Sequence, residues 1–140
     1  MGYYMMQGES EVIIRSKDFD AALAAIKKLA GKGKTRDTGG SHYSWVHDDE
    51  YLSARTLEEA LVVWGWMPEF DGQGNIGDIT DLMFEREKIG DEDVLFNAIA
   101  PYVKRGSYIC MTGEDGEQWR WYFDGKRCVQ QTGRVVYDSR

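Results

Sequence analysis

Gly113-Glu114-Asp115-Gly116-Glu117-Gln118-Trp119-Arg120-Trp121-Tyr122-Phe123-Asp124-Gly125-Lys126 sets the run WRWYF between two Asp-Gly pairs. Asp-Gly is a strong hairpin signal, because both corners of a type I′ turn need positive φ, which glycine adopts freely and aspartate tolerates. Read as two-residue loops, the pairs predict a three-stranded meander. Counting outward from each loop places Cys110 opposite Trp121, and Trp121 opposite Cys128.

Side chains alternate across a strand, so this register predicts two faces. Tyr108, Cys110, Trp119, Trp121, Phe123 and Cys128 form the core face. Ile109, Met111, Arg120, Tyr122, Arg127 and Val129 form the other, a mixed set suited neither to a dry core nor to a plain solvated surface. Arg120, Tyr122 and Arg127, with Met111 beside them, are the candidate ligand-binding residues. Arginine pairs with phosphate or carboxylate, and arginine and tyrosine both stack on planar rings. The competing reading is an exposed face whose arginines pair with nearby acids. A slip of one residue would exchange the two faces. The two cysteines fall two strands apart in this register, too far for a disulfide, and are expected as free thiols flanking Trp121.

Working outward, a strand is expected from Tyr3 to Arg15 and a helix from Ser16 to Gly31, with Phe19, Leu23, Ile26 and Ala30 on one stripe. Ser16 or Asp18 can cap its start, and Gly31 supplies the stop. The stretch from Gly31 to Ser41 has no periodicity and reads as a surface loop. Its Gly33-Lys34-Thr35 does not make a phosphate loop, because the first glycine of that motif would fall at Lys28. His42 to Val46 is a short strand followed by an acidic loop. Thr56 and Glu59 make a capping box for a helix that buries Leu57, Ala60, Leu61 and Trp64. Two strands follow, joined by a Gly/Asn turn, with Pro68 toward a sheet edge. A third helix begins near Asp91 and buries Leu95, Ala98, Ile99 and Tyr102, with Pro101 disturbing its last turn.

The 140 residues are most simply one domain, with a predicted α+β fold. A mostly antiparallel sheet carries three helices on one face, in a variant of the ferredoxin-like arrangement, and ends in the meander.

Formal charge is −7, from 24 acids and 17 bases, which disfavours non-specific binding to nucleic acid or anionic membrane unless the basic residues gather on one face. The start of the chain has no signal-peptide pattern and no stretch reaches 18 apolar residues, so a cytoplasmic location is expected. His42 and His47, five apart, would point to opposite faces of any one strand and could not share a metal ion. Asp71 to Leu82 fails as a calcium loop, with Ile76 where glycine is needed and Leu82 where a bidentate glutamate is needed. No cofactor or metal is expected. No nucleophile or metalloprotease motif organises the Ser, His and acidic residues, although general acid/base catalysis needs no local motif.

Met1-Gly2-Tyr3 with Gly8-Glu9, and Gly113-Glu114-Asp115 followed by Trp119-Arg120, resemble the two ends of small uncharacterised proteins of bacteria and bacteriophages. The resemblance implies a phage or mobile-element setting, in which small acidic proteins often bind another macromolecule, and it carries over no functional residue. Two functions are therefore expected. In the first, a small acidic non-catalytic interaction protein, of which a phage or bacterial inhibitor is one form, engages a basic protein partner through Asp48, Asp49 and Glu50, Asp91, Glu92 and Asp93, and Glu114 and Glu117, with charge steering the encounter. In the second, a module binds a nucleotide or other anionic small molecule on the Arg120/Tyr122/Arg127 face.

Overall fold

Burial alternates along the WRWYF run as a half-buried strand requires: Trp119, Trp121 and Phe123 are buried, Arg120 is exposed and Tyr122 lies between. The computed structural model describes residues 5–33, 35–37, 40–43, 46–82, 91–134 and 137. The run belongs to β8 (Gln118–Phe123), which pairs antiparallel with β7 (Tyr108–Gly113) on one side and β9 (Cys128–Gly133) on the other. The meander is therefore present. The N-terminal strand β1 (Met5–Glu11), shorter than expected, adds to β7 and completes a sheet of order β1-β7-β8-β9.

The register differs from the expected one, and the loops explain why. Gly113 N–H donates to Glu117 C=O at 2.9 Å and Gly116 N–H to Gly113 C=O at 3.0 Å, so the first loop is Glu114-Asp115-Gly116, three residues rather than two. Gly116, at φ +87°, takes the left-handed position that closes such a loop. The extra residue turns β7 over relative to β8. Ile109 and Met111, not Cys110, oppose Trp121 and Trp119 on the core face, and Met111 is 1% exposed.

The second loop is Gly125-Lys126. Asp124 stays on the strand side and its Oδ1 accepts the amides of Lys126 (2.9 Å) and Arg127 (2.8 Å). This shifts the pairing by two residues, so Cys128 faces inward as expected but opposes Phe123 instead of Trp121. The cysteines are free and lie on opposite faces of the sheet, which corrects their expected place on either side of Trp121.

Helix α1 (Phe19–Lys27), preceded by a short 3₁₀ turn at Ser16–Asp18, buries Ala22, Leu23 and Ile26, and neither Ser16 nor Asp18 caps it with a side chain. The expected loop after Gly31 contains β2 (Thr35–Asp37), paired with β3 (Gly40–Tyr43), which pairs in turn with β4 (Val46–His47). Lys34, Thr38, Gly39, Ser44 and Trp45 lie outside the described residues. The expected acidic loop is a helix, α2 (Asp48–Leu52): its acids complement the helix dipole, and Glu50 accepts the His47 amide at 3.3 Å.

Helix α3 (Leu57–Val63) buries the expected stripe of Leu57, Ala60, Leu61 and Trp64. Thr56 Oγ1 accepts the Glu59 amide at 3.2 Å, while the Glu59 carboxylate reaches one residue further back, to Arg55 N–H. β5 (Trp66–Phe70) and β6 (Ile76–Asp81) form the expected hairpin. α4 (Glu92–Ile99) runs into a 3₁₀ turn at Ala100–Tyr102, where Pro101 lacks the amide that an α-helix would use.

The architecture is α+β with antiparallel sheets. Three consecutive strands joined by hairpins depart from the β-α-β-β-α-β order of the ferredoxin-like arrangement. One apolar cluster runs from the inner face of the sheet to all four helices. At its centre Phe96 of α4 lies 5.0 Å from Trp121 and 5.2 Å from Trp66, edge to face, the geometry that aromatic quadrupoles favour. The β5–β6 hairpin is tied to the edge of β1 by side chains. Gln7 donates to Ile79 C=O at 2.8 Å and accepts the Asp81 amide at 2.7 Å, and Ser10 donates to Asp78. Among the described residues no helix is long and apolar enough to cross a membrane.

Candidate binding face on the open side of the sheet

With the helices on one side, the other side of the β1-β7-β8-β9 sheet carries Met6, Tyr108, Cys110, Thr112, Gln118, Arg120, Tyr122, Val129 and Gln131. Met6 is 67% exposed and Val129 41%, so this side faces solvent. Arg120 stands at its middle. Its guanidinium carbon is 5.4 Å from the centre of the Tyr122 ring and 6.0 Å from that of Tyr108, within cation–π range of both. Its Nε donates to Gln131 Oε1 at 2.5 Å, which fixes the plane of the group. No carboxylate pairs with Arg120 among the described residues.

Tyr108 is held as well. Its hydroxyl donates to Glu9, and that bond, then partial burial, pushes the phenol up to about 12. The stack thus has one ring anchored to the β1 edge and one in the same strand as the arginine. Beside it a groove of about 620 Å³ is lined by Cys110, Thr112, Gln118, Arg120, Gln131 and Gly133. That volume is in the range of small-molecule sites. Gly133 deepens it: a Cβ there would stand 3.3 Å from the Cβ of Gln118.

Of the expected ligand residues, Arg120 and Tyr122 share this face. Met111 does not. It lies in the core, and this correction follows from the three-residue loop. Arg127, the residue before β9, sits four residues from Gln131, about 13 Å away at ~3.3 Å per residue. There it attracts the carboxylate of Asp124, whose acidity is raised chiefly by the Arg127 and Lys126 amides. Arg127 is therefore not part of the Arg120 site. Tyr108 and Gln131 complete the site and were missed by the loop count. The sequence held a signal for them: Ile109 and Met111 are the apolar members of β7, and setting them outward would have left Cys110 and Thr112 to fill the core.

The expected partner-binding acids divide. Glu92 is 1% exposed, so it is not a surface acid, a correction to its expected role. Asp48 is engaged inside the fold, accepting the Gly31 amide at 2.9 Å and the Tyr51 hydroxyl at 3.0 Å. Burial, with help from that bond, raises the Tyr51 phenol. Asp49, Glu50 and Asp93 are exposed, as are Glu114 and Glu117 in the β7–β8 loop. Burial first, then the charges of Asp48 and Asp91, raises the Tyr43 phenol.

His42 and His47 fall on two strands as register partners, so the argument from alternation along any one strand does not apply to them. Among the described residues no three His, Cys, Asp or Glu come together as a metal site.

Charge is distributed unevenly. Residues 118–134 carry Arg120, Lys126, Arg127 and Arg134 against Asp124, a net +3, so the rest of a chain at −7 carries −10. Arg105 joins them in space, its Cβ lying 3.5 Å from where a Gly125 Cβ would stand. The β8–β9 hairpin is thus one basic stretch of an acidic protein, residues 27–36 with Lys27, Lys28, Lys32, Lys34 and Arg36 being another.

No family model, curated protein or solved structure matches this chain.

Proposed function

We propose that this chain is a small cytoplasmic, non-catalytic binding protein whose working surface is the open side of its sheet, where Arg120 receives an anionic group. One observation carries the reading: the Arg120 guanidinium is clamped between two tyrosines and Gln131 on an exposed surface, with no carboxylate partner among the described residues. An arginine that served only the fold would be expected to have an acid beside it. Pre-orientation of a planar fork suits carboxylate or phosphate, and the flanking rings suit a flat ligand.

The test is a thermal-shift titration with inorganic phosphate, nucleoside monophosphates and small dicarboxylates. The expected result is a rise in melting temperature with at least one of these in the parent protein, and none in Arg120→Gln. Equal shifts in both proteins would overturn the reading.

A second reading is favoured by the exposure of acids in the first turns of α2 and α4. Exposed Asp49, Glu50 and Asp93 would then engage a basic partner protein, as an inhibitor from a phage or bacterium would. Its mark is an association rate that falls steeply with salt.

A further inference from the structure

Strand β9 is the last strand of its sheet, and the direction of its backbone groups can be worked out. Asp124 N–H donates to Arg127 C=O at 3.0 Å, so 124 and 127 form a hydrogen-bonded pair. Such pairs alternate along an antiparallel ladder, which makes 122/129, 120/131 and 118/133 the next ones. The amides and carbonyls of Cys128, Gln130 and Thr132 therefore point away from β8. The first confirms this directly: Cys128 N–H donates outward, to Asn97 Oδ1 of α4 at 3.0 Å. Beyond that clip, no hydrogen bond to the outward groups of Gln130 or Thr132 occurs among the described residues.

Soluble proteins usually blunt such an edge with charge, proline or a bulge. β9, Cys128-Val129-Gln130-Gln131-Thr132-Gly133, has no charged residue and no proline, and its register with β8 is unbroken. The charges stand at its two ends instead, Lys126 and Arg127 before it and Arg134 after it. A second copy pairing antiparallel along this edge would set these basic ends against each other, which disfavours self-association.

We propose that β9 receives an extended acidic segment of a partner polypeptide, which adds as a fifth strand and sets one of its carboxylates on Arg120. The inference rests on the reading above and names its ligand class. Added strands gain affinity from main-chain bonds and specificity from alternate side chains. A residue opposite Gln131 on the new strand stands two strand spacings from Arg120, about 9.6 Å. Glutamate and arginine reaching toward each other close that span. Single-stranded nucleic acid is the weaker candidate, because Glu9 and Glu11 flank the tyrosine stack on β1 and a −7 chain repels phosphate.

The test uses the full chain and a capped peptide alternating glutamate with valine and threonine, followed by amide exchange and by titration. New protection at the Gln130 and Thr132 amides is expected. Affinity should fall about tenfold in Arg120→Gln, the loss of one charge-assisted pair. It should fall by more in Thr132→Pro, where proline replaces an outward amide and leaves the ladder with β8 intact. A peptide N-methylated at alternate residues should fail in the same way, without any change to the protein.

Binding without protection of those amides, or undiminished binding of the N-methylated peptide, would overturn the proposal. So would a dimer of the unliganded chain with those amides already protected, or binding of oligothymidylate in place of the peptide. If small anions bind through Arg120 while the peptide does not, the fifth-strand proposal falls and the anion site stands. If the peptide binds equally to Arg120→Gln, the fifth-strand proposal with its carboxylate on Arg120 falls, and the anion site falls only if the small anions also shift both proteins equally.

Discussion

Ile109 stands directly opposite Trp121 across the β7–β8 ladder, and the two are 0% and 1% exposed. The pairing fixes which side of β7 meets the core, and adjacent residues on that strand should respond to substitution in opposite ways. Ile109→Ala should cost about 2–5 kcal/mol of stability, the range for a large-to-small change in a packed interior. Cys110→Ala, half-buried on the open side, should cost less than ~1 kcal/mol. Urea unfolding followed by tryptophan fluorescence measures both, and the reverse order would restore the register with two-residue loops.

The same contrast should hold within WRWYF. Trp121→Ala removes a ring packed edge to face with Phe96, Trp66 and Trp119 and should cost about 3–5 kcal/mol. Arg120→Ala removes only exposed cation–π contacts and one hydrogen bond, so the expected loss is under ~1 kcal/mol. Similar melting temperatures for the two variants would contradict the packing described.

Gly116→Ala should destabilise by about 1–2 kcal/mol, because φ of +87° is strained for a residue with a Cβ even though no atom lies within 4 Å of where that Cβ would be. Gly72→Ala, with equally open surroundings and no positive φ, should stay within ~0.5 kcal/mol of the parent. Thermal unfolding of the pair separates backbone conformation from crowding.

Alkaline pH should weaken the fold. Burial, then Asp93 and Asp124, push the Cys128 thiol from 9.0 up to about 12, and Tyr108 is raised from 10.0 to about 12 through Glu9. The unfolded chain therefore releases these protons first. Their contribution is fully present below about pH 9 and is lost as pH rises toward 12. Cys128→Ala should flatten the early part of that decline in a series of urea unfolding curves between pH 8 and 11. At pH 8, iodoacetamide should modify Cys128 slowly in the native protein and quickly in urea, as peptide mass mapping would show.

Local signals were enough for much of this fold. The α3 stripe, the Thr56 cap, the β5–β6 hairpin and the meander all follow from neighbours in sequence. Register did not, because Asp-Gly suits both the two corners of a type I′ turn and the end of a three-residue loop, and only the burial of Ile109 and Met111 decides between them. Glu92 escaped for a related reason: its position in an acidic run suggests a solvated helix start, whereas tertiary packing encloses it. Of the binding face, Arg120 and Tyr122 were legible from alternation within one strand. Tyr108 and Gln131 come from two other strands, so they joined the site only once both ladders were aligned.

The three residues between Gly113 and Glu117 have a consequence for how such a chain can change over time. Their identities at 114 and 115 are free to drift, since both are exposed. Their number is not, because an odd insertion or deletion would present Cys110 and Thr112 to the interior and strand Ile109 and Met111 in water. Variants of this protein should thus be tolerant of new letters in that loop and intolerant of a new count, unless the change comes in twos.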